Sequence, residues 1–230
     1  MGYNFHWAMP ASDWMLLAAG AGRTCLYSIA GLAFGLAFGL ACALGRRSRH
    51  VLPRLLAGAY VEAIRNTPLL VQIFLVFFGL PSLGVKLSAG AAAILALSLN
   101  FAAYSGEIVR GGIEAIPRGQ IEAAESLGLS RWEVFAHVVI LPALEKTWPS
   151  LVSQFVLMML GSSIVSAIGA DELTSAANTI QSRTFRPFEV YGWTTLIYLG
   201  LTIAFSVALW ALAQGLFRRR RIVGLTLGVR

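Results

Sequence analysis

The stretch Val190–Phe217, VYGWTTLIYLGLTIAFSVALWALAQGLF, runs for 28 residues without an Asp, Glu, Lys or Arg. At 1.5 Å of rise per residue, about 20 apolar residues in a helix cross the ~30 Å hydrocarbon core of a bilayer, so this stretch spans one. Four more uncharged stretches precede it, at Thr24–Gly45, Asn66–Val85, Leu87–Gly106 and Thr147–Ala170, of 22, 20, 20 and 24 residues. The chain has 230 residues, 57% hydrophobic and only 13% charged, with a mean hydropathy of +0.71. Soluble domains carry about 25% charged residues, so an ordinary soluble fold is excluded. The expected class is all-α: a polytopic membrane protein with five transmembrane helices near residues 14–45, 55–80, 87–110, 134–168 and 190–217, forming one membrane domain over 1–230.

The net charge of +7 takes its meaning from where the basic residues stand. Arg46, Arg47, Arg49, Arg54 and Arg65 fall after the first span; Arg110, Arg118, Arg131 and Lys146 fall in the third connection; Arg218, Arg219, Arg220, Arg221 and Arg230 form the tail. These are 14 of the 18 basic residues, and only Arg23, Lys86, Arg183 and Arg186 lie on the other side. The positive-inside rule therefore predicts an external N-terminus and a cytoplasmic C-terminus. Topology accounts for the basicity, and no nucleic acid is required. The first 22 residues lack Lys and Arg, so no cleaved secretory signal is expected. Cys25 and Cys42 stand 17 residues apart in one helix, too far to pair, and read as packing residues.

Local patterns refine the spans. Gly31, Gly35 and Gly39 repeat at spacing four in the first helix, a ridge of small residues that admits a neighbouring helix closely. Trp7 and Trp14 suit an interfacial belt. In the second span, Pro68 removes a backbone donor and disfavours helical geometry at Thr67, which predicts a bend or unwinding at 66–68. The third connection, 107–146, concentrates charge between two spans, and its middle, near 118–129, reads as an amphipathic surface helix with Ile121, Ala124, Leu127 and Gly128 on one face. The fourth span is expected to bend or start near Pro142 and Pro149, and residues 171–189 form a polar external loop.

Several chemistries are excluded. The two lysines, Lys86 and Lys146, follow Val85 and Glu145, so no Gly-Lys phosphate-binding loop exists in the chain. His6, His50 and His137 are scattered and form no metal-ligand pair, so no metal site is expected. Ser162 and Ser163 lie in the fourth span with no histidine at similar depth, which disfavours serine proteolysis. Their bland reading is packing and backbone bonding.

In the third connection, Glu122-Ala123-Ala124, then Gly128, then Ile140-Leu141-Pro142, resembles the EAA loop of type I ABC importer permeases. Glu62-Ala-Ile-Arg-Asn-Thr-Pro-Leu-Leu-Val-Gln72, Phe78-Gly-Leu-Pro81, Ala103-Tyr-Ser-Gly-Glu-Ile-Val-Arg-Gly-Gly112, Gly119-Gln120 and Arg186-Pro-Phe-Glu189 resemble the polar amino-acid branch, which serves histidine, glutamine, arginine, glutamate and opines. The resemblance covers about residues 15–217, with the motifs in order. It departs at Pro142, one residue later than the pattern, and at Leu160-Gly-Ser-Ser-Ile164, where the family often carries an acidic residue.

The resemblance implies a permease subunit that translocates polar amino acids across the bacterial inner membrane without ATPase activity of its own. Its implied partners are two cytoplasmic ATP-binding subunits, which bind ATP and Mg; a second permease, identical or homologous; an extracytoplasmic solute-binding protein; the amino-acid substrate; and the lipid bilayer. No cofactor is implied for this chain. Gly119, Glu122, Ala123, Ala124 and Gly128 would couple to the ATPase, Glu122 by capping or ion pairing and Gly128 by letting the chain turn back. Ionisable and polar groups inside spans mark a pathway, which makes Glu62, Arg65, Asn66, Asn100, Tyr104, Glu107 and Gln154 the candidate substrate contacts. A structural Glu62–Arg65 pair one turn apart is the rival reading of those two residues. An autonomous secondary carrier or channel for small polar solutes is the alternative function.

Overall fold

A computed structural model describes residues 5–217. The arginine-rich tail used above for topology, Arg218 to Arg221 and Arg230, lies outside the described residues. Every regular element among them is helical: α1 (Ala11–Arg46), α2 (Val51–Arg65), α3 (Leu69–Ser82), α4 (Ala89–Glu114), α5 (Arg118–Ser126), α6 (Arg131–Ile168), α7 (Leu173–Thr184) and α8 (Pro187–Leu216). α1, α4, α6 and α8 are each long and apolar enough to cross a membrane, and α2 with α3 makes a fifth span if the bent pair is counted as one.

The small-residue ridge of α1 lies against α4. A Cβ at Gly35 would stand 2.8 Å from the Ser98 carbonyl oxygen, and one at Gly39 would stand 2.8 Å from that of Ala102 and 2.3 Å from Ser105 Oγ. A Cβ on Gly106 of α4 would in turn stand 2.9 Å from the Gly39 carbonyl oxygen. Gly31 faces Met158 of α6 and Leu97 of α4. Lipid tails are as apolar as Leu, so close backbone approach and dispersion hold such helices together. α4 is the central helix, with 67% of its apolar window buried, whereas α8 buries 6% and turns Leu196, Leu199, Ile203, Val207 and Trp210 outward. Ile73, Leu97, Phe101, Phe155 and Met158 fill the core between α1, α3, α4 and α6.

Pro68 breaks the second span into two helices, bent by 113° at the break. Further prolines act more gently. A widened π turn at Leu75–Gly79 ends two residues before Pro81, and another at Val134–Ile140 ends two residues before Pro142. Each wide turn makes room upstream of a residue that has no N–H to donate and whose ring would strike the preceding turn. α6 thus continues through Pro142 and Pro149 as a single helix from Arg131, tightening into a 3₁₀ turn at Ser162–Ile168. Ser162 and Ser163 donate to the carbonyls of Met159 and Leu160 three residues back.

The stretch expected as a polar external loop instead contains α7. Leu173, Ala176, Ala177 and Ile180 recur at helical spacing and are buried, packing with Leu17 of α1 and Val190 of α8. A short, largely polar helix with one narrow apolar stripe was hidden by its composition. Glu172 caps it, accepting from Thr174 N at 2.8 Å and Ser175 N at 2.7 Å, while Tyr198 OH donates to the same carboxylate at 2.8 Å. At the same end of the bundle the Trp193 indole donates to the Trp7 carbonyl at 3.1 Å, and Trp7 and Trp14 both pack edge-on against Trp193.

Candidate functional site

The break between α2 and α3 is built by one proline and repaired by one glutamine. In an unbroken helix residue 68 would donate to the Ile64 carbonyl, and Pro68 has no hydrogen to give. Gln72 Nε2 supplies the donor, reaching Ile64 O at 2.7 Å and Thr67 O and Oγ1 at 3.0 Å each. Its other amide atom, Oε1, accepts from Asn100 Nδ2 of α4 at 2.9 Å. Gln72 and Asn100 are both buried, so the break is tied to the central helix by a polar contact that water does not compete for. Asn66 closes α2 by donating to the Glu62 carbonyl at 2.8 Å, and Thr67 Oγ1 donates to Ala63 O at 2.8 Å. Gln72 was absent from the candidate residues; its sequence signal is an amide side chain one turn after a helix-breaking proline.

Arg65, the last residue of α2, lies over the Tyr104 ring at 5.5 Å, and Tyr104 OH donates to the Arg65 carbonyl at 3.4 Å. Glu107 of α4 is the hub of the charges around it. Arg46 Nη1 of α1 donates to its Oε1 at 2.6 Å and Arg110 Nε at 2.9 Å; Arg110 Nη2 donates to Oε2 at 3.0 Å, with Arg65 Nη1 at 3.7 Å. Arg46 also stands 3.8 Å from Glu62, and Arg110 Nη1 donates to Glu114 at 2.6 Å. Glu62 and Arg65 therefore pair with α1 and α4 respectively, and no ion pair joins them to each other among the described residues. They leave α2 in different directions toward two different helices.

Of the seven candidate substrate residues, Glu62, Arg65, Asn66, Asn100, Tyr104 and Glu107 thus gather around the break and the α1–α4 charges. Glu62, Arg65 and Asn66 are exposed on the chain's surface. Gln154 stands apart on α6, half-buried beside Phe155, and none of the cluster's hydrogen bonds reaches it.

The second feature is α5, nine residues held between α4 and α6. Its end forms a Schellman turn: Leu129 N donates to Ala124 O at 3.3 Å, Gly128 N donates to Glu125 O at 3.0 Å, and Gly128 has φ +79°. Only two residues later α6 starts with a reciprocal capping box, Ser130 Oγ accepting from Glu133 N at 3.3 Å while Glu133 Oε2 accepts from Ser130 N at 2.8 Å. Two interlocked caps make the turn rigid. Gly119, Glu122, Ala123 and Gly128 are exposed, whereas Ala124 is buried against the chain's own bundle. The amphipathic face expected through Ile121, Ala124, Leu127 and Gly128 is split accordingly. Ile121 packs near Val139 and Ala143 of α6, while Leu127, at the helix end where the chain turns, is 80% exposed.

An all-helical bundle of four apolar spans and a broken fifth, with a surface helix between two of the spans, describes a multi-pass membrane protein. Residues 35–222 match the family of binding-protein-dependent transport system inner membrane components, and the chain belongs to that family. It is 36% identical over 222 residues to the octopine transport system permease protein of Rhizobium meliloti, covering 91% of each chain. It is 33% identical over 222 residues to the glutamine transport system permease protein of Escherichia coli, covering 96% of this chain and 100% of that one. Among solved structures, an amino acid ABC transporter crystallised with histidines is similar at a TM-score of 0.82 and 36% identity, over 92% of this chain and 99% of that chain. An inward-facing methionine ABC transporter shares the fold at a TM-score of 0.73 and 18% identity, over 90% of this chain and 99% of that chain. The chain is accordingly a multi-pass inner-membrane protein with an ABC importer permease fold.

Proposed function

We infer that this chain is the membrane-spanning permease subunit of an ATP-binding cassette importer of amino acids. The observation that carries the reading is α5: a short helix, closed by a Schellman turn that runs straight into the capping box of α6, that offers Gly119, Glu122, Ala123 and Leu127 outward between two spans. A translocation subunit without a phosphate-binding loop needs a rigid handle for a separate ATPase, and α5 has the rigidity and the exposure for it. Glu122, exposed on α5, pairs in this reading with a basic group on that subunit, and Ala123 with Gly119 permits close approach. Ala124 serves the same handle from its inner side, by seating it on α6.

The working assembly pairs this chain with a second permease, identical or homologous, two cytoplasmic ATP-binding subunits that hold ATP and Mg, and an extracytoplasmic solute-binding protein. The side richer in arginine faces the cytoplasm, which puts α5 inside and α7 outside. The relatives named for octopine and glutamine support a polar amino acid as substrate. Asn66, Tyr104 and the Gln72–Asn100 amide pair, at a helix break, offer a ring and amides to a zwitterion, while Arg65 is taken up by Glu107 and the Tyr104 ring and is left out of the substrate contacts. Glu62 is the acidic partner nearest this group, and Gln154 would contribute only from the α6 side.

Reconstitution with the neighbouring ATPase and binding-protein genes, followed by ATPase and uptake assays over the common amino acids, tests the reading. One or a few polar amino acids should stimulate both activities. Glu122→Trp should abolish uptake and stimulation while leaving membrane insertion intact, and normal uptake by that variant would remove α5 from the coupling role. Substrate flux without any ATPase would favour an autonomous carrier instead.

A further inference from the structure

The ion-pair cluster around Glu107 lies between the two features already described, and its bonds are unequal. Arg46 of α1 and Arg110 of α4 hold the carboxylate at 2.6 to 3.0 Å, while the two contacts made by α2, Arg65–Glu107 and Glu62–Arg46, are at 3.7 and 3.8 Å. The tight Arg46 bond locks α1 to α4, Arg110 braces the carboxylate within α4, and the loose contacts tether the end of α2. Arg65 is the residue before Asn66, where the broken helix begins to turn, and its ring contact with Tyr104 fixes it further to α4. On the other side, Arg110 passes the network to Glu114, the last residue of α4, and α5 begins at Arg118. A charge network with one firm and one exchangeable half is the kind of element that two sites can both bias.

We propose that Glu107 is a positioning residue, a latch whose exchangeable bond to Arg65 links the break in the α2–α3 span to the position of α5. The proposal rests on the reading of α5 as the ATPase handle. When α5 moves with the end of α4, Glu107 moves relative to Arg65; the α2 end is then released or captured, and the break beside Gln72 and Asn100 opens or closes with it. Glu107 is thereby occupied by three guanidinium groups and does not serve as a ligand for a substrate ammonium.

The test uses the whole importer in proteoliposomes, with Arg65→Gln as the main variant, because it leaves the tight Arg46–Glu107–Arg110 core in place. Basal ATP hydrolysis should persist, while stimulation by loaded binding protein and uptake per ATP fall about tenfold, within the range typical of coupling between sites. The KM for the amino acid should stay within about twofold, since a latch touches no substrate. Arg65→Lys, which keeps the charge, should restore much of the coupling. Glu107→Gln should show the same uncoupling more strongly; should it fail to fold, Arg65→Gln still decides. Normal uptake per ATP in Arg65→Gln, or a raised KM with coupling intact, overturns the latch. Glu122→Trp run in parallel separates the two ideas: if it uncouples and Arg65→Gln does not, α5 keeps its role and Glu107 loses its own.

Discussion

Asn100 Nδ2 donates to Gln72 Oε1 at 2.9 Å, a buried polar contact by which the central helix holds the broken span at its bend. The two ends of the bond are not equivalent, because Gln72 also satisfies the carbonyls of Ile64 and Thr67. Gln72→Leu removes the bonds to Ile64 O, Thr67 O, Thr67 Oγ1 and Asn100 Nδ2, and Asn100→Ala removes only one. Leaving a buried polar group unsatisfied costs about 1 to 3 kcal/mol, so Gln72→Leu should lower the melting temperature of the purified complex clearly more than Asn100→Ala does. Equal shifts for the two variants, read by thermal unfolding in detergent, would contradict the repair role of Gln72.

The α1–α4 contact predicts a contrast within one helix. At Gly39 a Cβ meets backbone and Ser105 at distances no side chain tolerates, whereas nothing lies within 4 Å of a Cβ at Gly22. Gly39→Val should destabilise by about 1 to 3 kcal/mol through overpacking. Gly22→Ala should be neutral or stabilising by up to about 1 kcal/mol, since Ala is the better helix former. Both are measurable as thermal shifts.

Gly128 sits at φ +79° with open space where a Cβ would go, so its cost of substitution is conformational and not steric crowding. Gly128→Ala should destabilise the α5 turn by about 1 to 2 kcal/mol, the penalty of a left-handed conformation with a side chain. Faster hydrogen exchange confined to the amides of 124–133, with transport reduced, is the expected signature.

Burial pushes the Glu172 carboxyl above its ordinary value of 4.5, with the amides of Thr174 and Ser175 and the Tyr198 hydroxyl opposing the shift. A carboxyl whose folded pKa is raised stabilises fully below its unfolded value and loses that contribution as pH rises through the folded one. The melting temperature of the unmodified protein minus that of Glu172→Gln should therefore decline as the pH is raised above the ordinary carboxyl value of 4.5. A difference that grows with rising pH would reverse the assignment.

The uncharged runs from Thr24 to Phe217 determined the membrane class by themselves, because transfer of a charge into hydrocarbon is costly enough that composition over some twenty residues decides where a helix resides. The break at Pro68, the close-packing ridge of Gly31, Gly35 and Gly39, and the left-handed turn at Gly128 were legible for a similar reason: each follows from what one residue's own backbone permits. α7 was not legible, since its stripe of Leu173, Ala176, Ala177 and Ile180 gains meaning only from α1 and α8 packed against it. Neither was Gln72, whose partners are carbonyls orphaned by a proline and an amide 28 residues away. Local geometry and solvent partitioning are written residue by residue along the chain. Whether Ala124 faces inward, and which of three arginines Glu107 holds tightly, depended on the distances at which separate helices come to rest, and those only the packed structure decided.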